Sequence, residues 1–416
     1  MNIGMVVKNT FTHDARVTRE ATALIADGHL VTIFCLPGKG LKPIETLESG
    51  LKVVRIPIGG FSRLYQQHAP TSSSNMKISS AFANSFLALR NRLLQIAAHS
   101  LFADLAHRFI DFKIISEIEK YKEVQVIHCH DLDALFIGSR LKDTKRVKLI
   151  YDSHEMATDR NLATRGMRRR AFRRERKLIG SVDAVITAAP GYSQRIRELY
   201  NIEVPLTILN VPDSESQSPG RFSIRESLKI PDSKFLAVYQ GSIQKNRGIE
   251  QAIDAISQVD NAVLVIIGYG EHRAYLESSV AIRGLGEKIR FFGPVANNQI
   301  VTWISEADVV LCLINGDSDS YRYSLPNKLF EAISAEVPVI ASNYPGIGDF
   351  VLRERIGLVA EPSKPNEVIE AIRTLISSRD LDQEFKLNCK KLKASLDWKF
   401  EREKLLALYR RSEITL

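Results

Sequence analysis

Four cysteines in 416 residues are too few and too scattered for a disulfide framework. Cys35, Cys129, Cys312 and Cys389 form no C-x-x-C pair, and the first three sit in apolar runs. That argues against a thiolate metal site and fits a reducing compartment. No run approaches the ~18 consecutive apolar residues that a membrane-spanning helix needs. The N-terminus, Met1-Asn-Ile-Gly-Met-Val-Val7, lacks a basic flank and reads as a first strand, not a signal peptide. Together these features predict a cytoplasmic protein. There is no Walker loop, no zinc-ligand spacing, no G-x-S-x-G elbow and no nucleic-acid signature, so no nucleic-acid partner is expected.

Apolar residues make up 44% of the chain and charged ones 25%, the balance of a globular protein. The length suits two domains of about 200 residues each. The formal charge of +9 points to anionic partners: nucleotide phosphates, lipid head groups or nucleic acid. Much of the excess falls between Arg165 and Lys177, where Arg168, Arg169, Arg170, Arg173, Arg174 and Arg176 crowd two turns of a predicted helix. Phe172, Leu178 and Ile179 give that helix an apolar edge to pack or insert. Such a run is either a solvated face or a docking face for an anionic membrane.

Short β-rich runs alternate with helical patterns almost from end to end. After Ile3–Val7, the residues Val17, Ala21, Leu24 and Ile25 form one helical face, and Gly28 ends that helix. Leu30–Leu36, Val124–Cys129, Lys148–Tyr151, Ala184–Thr187 and Leu206–Asn210 read as continuous apolar strands of the buried parallel kind. Val211–Arg221 is rich in Pro, Ser, Asp and Gly and reads as a linker. Beyond it the alternation restarts with Phe235–Tyr239, Val263–Ile267, Ile289–Phe292, Val309–Leu313, Val337–Ala341 and Gly357–Val359, and Trp398–Arg411 forms a last helix. The predicted class is α/β, with two Rossmann-like doubly wound parallel sheets. The domains are residues 1–211, with a helical insertion at about 60–120, residues 222–395, and a terminal helix at 396–416. In the insertion Phe82, Phe86, Leu89, Leu93 and Ile96 form an apolar stripe that Leu101, Leu105, Phe109 and Phe112 continue. The stripe packs on the first domain or, with Arg90 and Arg92, meets a membrane.

Polar residues gather at the predicted carboxyl ends of strands, where doubly wound sheets bind ligands. The first group is Val126-Ile-His-Cys-His-Asp131, in which His128 and His130 share one strand face and His130 is nearer the tip. Asp131 and Asp133 spell D-x-D, although Asp131 can equally cap the next helix. One strand later comes Tyr151-Asp-Ser-His-Glu155. In the second half, Tyr239-Gln-Gly-Ser-Ile-Gln-Lys-Asn-Arg-Gly248 leads from a strand into a helix. Gly241 there permits close backbone approach, and Lys245 and Arg247 can face an anion. Ile266-Ile-Gly-Tyr-Gly270 adds a second glycine turn, with Gly268 and Gly270. In Tyr323-Ser-Leu-Pro-Asn-Lys-Leu-Phe-Glu331, Pro326 opens a helix whose Asn327, Lys328 and Leu329 amides are expected to be unpaired. With the Lys328 ammonium they suit a diphosphate, and Glu331 suits a pair of ribose hydroxyls.

Taken together these stretches resemble the GT-B glycosyltransferases of the large retaining family four. The resemblance is carried by Asn9-Thr-Phe-Thr-His-Asp-Ala-Arg-Val17, Asp27-Gly-His-Leu-Val-Thr32, His128-Cys-His-Asp131, Tyr151–Glu155 and Gly241–Gly248. Its most specific part is Leu325-Pro-Asn-Lys-Leu-Phe-Glu331 with Ala335-Glu-Val-Pro-Val-Ile-Ala-Ser342. It covers nearly the whole chain and fades around Gly59–Lys120.

The resemblance implies two domains facing across a cleft, an acceptor-binding first domain and a donor-binding second one. Glu331 would hold the ribose, and Asn327, Lys328 and Leu329 with Gly241, Ser242, Lys245, Gly268 and Gly270 would surround the nucleotide sugar. His130, Arg247 and Lys328 would be catalytic, and Asp14, Arg16, Asp131, His154 and Glu155 would lie on the acceptor side. The family retains anomeric configuration by front-face attack, with cations stabilising the leaving diphosphate and no metal or other cofactor required. A UDP- or GDP-sugar donor and a saccharide acceptor, lipid-linked in surface polysaccharide or glycolipid synthesis, follow. The location would be cytoplasmic or peripheral on the inner membrane face. Two positions depart from the pattern. Ser242 stands where the family has a basic residue, so Lys245 or Lys328 must supply that charge, and Tyr323 replaces the first glutamate of E-x7-E, which leaves the sugar open. The competing readings are another GT-B enzyme such as an epimerase or phosphorylase, and an inactive basic protein that binds membrane or RNA.

Overall fold

The computed structural model describes residues 1–12, 14–59, 105–159, 164–217, 222–316, 318–411 and 414. The apolar runs become strands of two sheets. The first contains β1 (Asn2–Val6), β2 (Leu30–Cys35), β3 (Ile44–Thr46), β4 (Lys52–Arg55), β5 (Val126–His130), β6 (Lys148–Ser153), β7 (Ala184–Thr187) and β8 (Leu206–Thr207), in the order β3-β4-β2-β1-β5-β6-β7-β8. β4, β2, β1, β5 and β6 pair in parallel, and β3 runs antiparallel to β4. β3 and β4 fall outside the strands expected from the apolar runs. β3 is a three-residue edge piece with alternating exposure, too short for a pattern to mark it.

The second sheet contains β9 (Phe235–Gln240), β10 (Ala262–Ile267), β11 (Ile289–Phe292), β12 (Val309–Cys312), β13 (Val339–Ser342) and β14 (Gly357–Ala360), in the order β11-β10-β9-β12-β13-β14. Its pairs are all parallel. Among the parallel strands of each sheet the order reverses once, between β1 and β5 and between β9 and β12. At such switch points neighbouring crossovers leave on opposite faces and open a crevice beyond the strand ends. The tips of β5 and β9 therefore stand at the two places where this fold binds ligands.

The chain divides into two compact units, one of Met1–Ser153, Arg169–Val185 and Tyr409–Leu416, the other of His154–Arg168 and Ile186–Leu408. In the first unit, Asp14 caps the helix Ala15–Ala26 by accepting a hydrogen bond from the Val17 amide at 3.2 Å. Gly28 follows that helix with a positive φ of 85°, the left-handed turn expected of it. The buried face of the helix carries Val17, Ala21 and Leu24 as expected, and also Arg16 and Glu20.

The stripe expected through Phe82 to Ile96 and Leu101 lies outside the described residues. Residues 105–118 are helical, but they bury Ile110, Ile114 and Ile118 and leave Leu105 and Phe112 exposed. The i, i+4, i+8 isoleucines outcompete the stripe assigned to Leu105, Phe109 and Phe112. Lys8 pairs with the buried Asp111 on the same helix at 2.7 Å. All four cysteines are free and buried, and burial pushes each thiol up to about 12. Among the described residues no helix is long and apolar enough to cross a membrane.

Candidate functional site

In the first unit the polar strand tip is a closed charge cluster. Strand register sets His130 beside Asp152 on β6 and His128 beside Met5 on β1. Arg16 donates to both Asp152 oxygens, from Nε at 2.8 Å and Nη2 at 2.9 Å. It also pairs through Nε with Glu20, one helical turn on, at 3.1 Å. Asp152 lies 3.4 Å from His130 Nδ1, and Glu20 lies 3.8 Å from His128 Nε2. His128 and His130 stack with centroids 4.4 Å apart, as residues i and i+2 on one strand face must. Every member of the cluster is buried. Burial opposes the Arg16 charge, but Asp152 and Glu20 together hold its pKa above the ordinary value, so it is a permanent cation.

Ligand atoms of Glu20, His128, His130 and Asp152 lie within 4.8 Å of one another, a spacing that could hold a metal ion. Arg16 pairs with both carboxylates of that set, and its single positive charge balances one of the two. His130 is the N-cap of the helix Asp131–Thr144 and makes no side-chain cap bond. Asp131, read as an alternative cap, is instead the first residue of that helix, with φ at 64°. A non-glycine residue in this region costs on the order of 1–3 kcal/mol. The strain buys a strand-to-helix elbow with no intervening loop. Asp131 and Asp133, two residues apart, do not share a helix face. His154 and Glu155 follow β6 directly, half-buried, and group with the second unit.

In the second unit the tips of β9 and β12 and the helix Asn327–Ser334 frame the other site. Gln240, buried at the end of β9, donates from Nε2 to Glu331 Oε2 at 3.2 Å and to the Lys328 carbonyl at 3.3 Å. It fixes the orientation of Glu331. The next residue, Gly241, has φ at 124° and Gly268 has φ at 141°; a Cβ on Gly268 would run into the Gly241 carbonyl oxygen, so only glycine fits there. Gly270 lies equally close to the backbone of Ile243. Lys328 is only 7% exposed and its Nζ has no hydrogen-bond partner among the described residues. It sits 3.7 Å over the Tyr239 ring. Burial lowers its pKa to about 7, with the nearby Arg247 cation acting in the same direction. Arg247, half-buried, lies over the Tyr321 ring at 5.3 Å.

The helix-start amides are two, not three. Those of Asn327 and Lys328 have no partner among the described residues, but Leu329 donates to the Pro326 carbonyl at 3.0 Å. Tightening of the first turn into an i to i−3 bond consumes that donor. Of the two candidates for the charge absent at Ser242, Lys245 is exposed, whereas Lys328 is buried beside Arg247. Ser242 is exposed, and its carbonyl accepts the Tyr239 hydroxyl at 2.8 Å. Tyr323 is half-buried at the end of the short helix Asp319–Arg322.

Glu20, Gln240 and Tyr239 were not singled out from the sequence. Gln240 had a signal, as the last residue of an apolar strand. Glu20 had only its i, i+4 spacing from Arg16.

The helix Arg165–Leu178 forms as expected but keeps fewer of its arginines in solvent. Arg168 pairs with Asp159 at 2.6 Å, and Arg174 lies 5.6 Å over the Phe136 ring. Of its apolar edge, Leu178 and Ile179 are buried and Phe172 is half-buried, while Met167 is exposed. Glu175, also buried, accepts the Tyr151 hydroxyl at 2.6 Å. Arg165, Arg169, Arg170, Arg173, Arg176 and Lys177 remain exposed.

Two family models match the chain, "Glycosyl transferase 4-like domain" over residues 13–209 and "Glycosyl transferases group 1" over residues 220–392. The chain is similar to a D-inositol 3-phosphate glycosyltransferase of Corynebacterium diphtheriae, with 22% identity over 414 residues that cover 94% of this chain and 87% of the relative. Its fold is similar to that of sucrose-phosphate synthase from Thermosynechococcus elongatus, with a TM-score of 0.77 at 17% identity, covering 99% and 98% of the two chains. It is also similar to Anabaena HepE in complex with UDP-glucose, with a TM-score of 0.68 at 16% identity over 98% and 99%.

Proposed function

Because the chain belongs to the group 1 glycosyltransferases and has the GT-B fold, a hexosyltransferase-type enzyme, we propose that it moves a hexose from a UDP- or GDP-sugar to a saccharide acceptor with retention of configuration. The observation that carries the donor assignment is the frame at the tips of β9 and β12. Two amides at a helix start without partners among the described residues, and the buried Lys328 amine with Arg247 nearby, accompany a carboxylate that accepts from Gln240. Amides and helix dipole attract phosphate oxygens, and a fixed carboxylate accepts from vicinal hydroxyls. A complex of a fold neighbour with UDP-glucose supports a nucleotide-sugar donor.

In this reading Lys328 and Arg247 act on the diphosphate as it leaves. Its charge grows only in the transition state, where preorganised cations are most effective. The leaving diphosphate itself takes the acceptor's proton. Arg247, Lys328 and the helix amides supply the electrophilic assistance, and no divalent ion is assigned to the step. His130 is the proposed catalytic side chain of the first unit, steadied by Asp152. The acceptor is proposed to be lipid-linked, in surface polysaccharide or glycolipid synthesis, with the exposed arginines of Arg165–Leu178 meeting anionic head groups at the inner membrane face.

The test is a panel of UDP- and GDP-sugars assayed for slow donor hydrolysis and for donor binding by calorimetry. Wild type is expected to select one base. Glu331→Ala should weaken binding of that donor by about 1.5–3 kcal/mol, the worth of hydrogen bonds to a charged group. An unchanged affinity in a folded variant removes Glu331 from the ribose. No binding of any nucleotide at millimolar concentration would turn the reading to an inactive binding protein.

A further inference from the structure

Tyr409 is the last residue of the helix Trp398–Tyr409, fully buried, and groups with the first unit. Its hydroxyl lies 2.9 Å from His128 Nδ1 across 281 residues of sequence. The ring sits 6.2 Å from the His128 ring at 42°. Burial, with the Glu20 and Asp152 carboxylates adding to it, pushes the Tyr409 phenol well above its ordinary value. The hydroxyl therefore stays protonated. Because His128 Nε2 faces the Glu20 carboxylate at 3.8 Å, the tautomer that suits both edges of the ring carries its N–H on Nε2 and accepts the Tyr409 hydroxyl at Nδ1. His128 in turn stacks at 4.4 Å on His130, with the ring planes 19° apart.

We propose that Tyr409 is a positioning residue for sugar transfer: its hydroxyl, acting through His128, fixes the ring plane of His130. The inference rests on the reading of His130 as catalytic. It also assigns a task to His128, which is completely buried. Asp152 holds one edge of His130, and the stacked His128 ring holds its face. A hydrogen bond that sets the second ring thus also constrains the first. Errors of an ångström at a reacting group cost far more than the bond that prevents them.

Two measurements on full-length Tyr409→Phe test this. With the donor and acceptor established for wild type, kcat should fall about tenfold with the donor KM unchanged, since ground-state binding is untouched. In spectra of histidine-labelled protein without substrate, the His128 and His130 ring resonances should both move, with His128 losing its single tautomer. Wild-type kcat, or a fall in kcat matched by a rise in KM and a lowered melting temperature, would overturn the proposal. If Tyr409→Phe does not fold, His128→Asn keeps an acceptor near Nδ1 but removes the stacked ring. It should lower kcat similarly, and an unchanged kcat refutes the relay. If wild type transfers no sugar, the enzymatic reading fails, while unmoved His130 resonances in Tyr409→Phe still refute the positioning.

Discussion

Lys328 combines three properties that rarely coexist in a lysine: it is buried, it has no hydrogen-bond partner among the described residues, and a second cation lies nearby. Burial first, then Arg247, lowers its pKa from 10.5 to about 7, and Cys312 and Glu331 offset only part of this. The sign of the consequence is fixed. A lysine depressed on folding destabilises the fold at low pH, and stability rises with pH between about 7 and 10.5. A diphosphate beside the amine reverses the bias, so above pH 7 donor binding must take up a proton. Calorimetry of a nucleoside-diphosphate sugar at pH 8, in buffers of different ionisation enthalpy, should show uptake approaching one proton per site, and Lys328→Arg should abolish it. Buffer-independent heats would show that the lysine is already charged. The sequence marks His130 as a candidate at a strand tip, Lys328 at a helix start and Glu331 one turn further on. Glu20 was not legible, because a carboxylate on the apolar side of a helix makes sense only beside Arg16, His128 and Asp152, and Asp152 is 136 residues from Arg16.

Among the elements, the helix Arg165–Leu178 shows what a charge pattern conveys and what it conceals. Its helicity and its basic face follow from spacing. The engagement of Arg168 by Asp159 and of Arg174 by Phe136 depends on segments whose placement no local pattern gives. The same limit produced the wrong stripe on residues 105–118, where two apolar faces competed and only tertiary packing chose Ile110, Ile114 and Ile118. Leu178 and Ile179 are buried while Met167 stays exposed, so membrane attraction of the basic helix is expected to be chiefly electrostatic. Each basic residue near an anionic surface is worth about 1 kcal/mol. Arg169→Glu/Arg173→Glu/Arg176→Glu should therefore abolish co-sedimentation with anionic liposomes while leaving donor binding intact. Wild-type binding should fade as salt shortens the Debye length from ~8 Å at physiological ionic strength. Equal sedimentation of both proteins, or salt-independent binding, leaves the arginines as a solvated face.

At the scale of the molecule, the sequence's alternation of strands and helices was enough for two parallel sheets, because buried parallel strands must be apolar throughout. The strand order was not legible. It rests on which neighbour each strand pairs with, and it is the order that creates the switch points beneath His130 and Gln240. A ligand that binds only the folded chain stabilises it by about 2.7 kcal/mol at a hundred times its dissociation constant. The preferred nucleoside diphosphate should thus raise the melting temperature by several degrees in wild type and less in Glu331→Ala. Equal protection of both would place the nucleotide elsewhere. The four buried thiols have a practical corollary. With their ionisation pushed up to about 12, they are silent towards maleimides under native conditions. The natural chain is already a blank background for labelling. One cysteine introduced at Arg170 could carry a fluorophore that brightens or stays dark as vesicles are added, with no native cysteine to remove first.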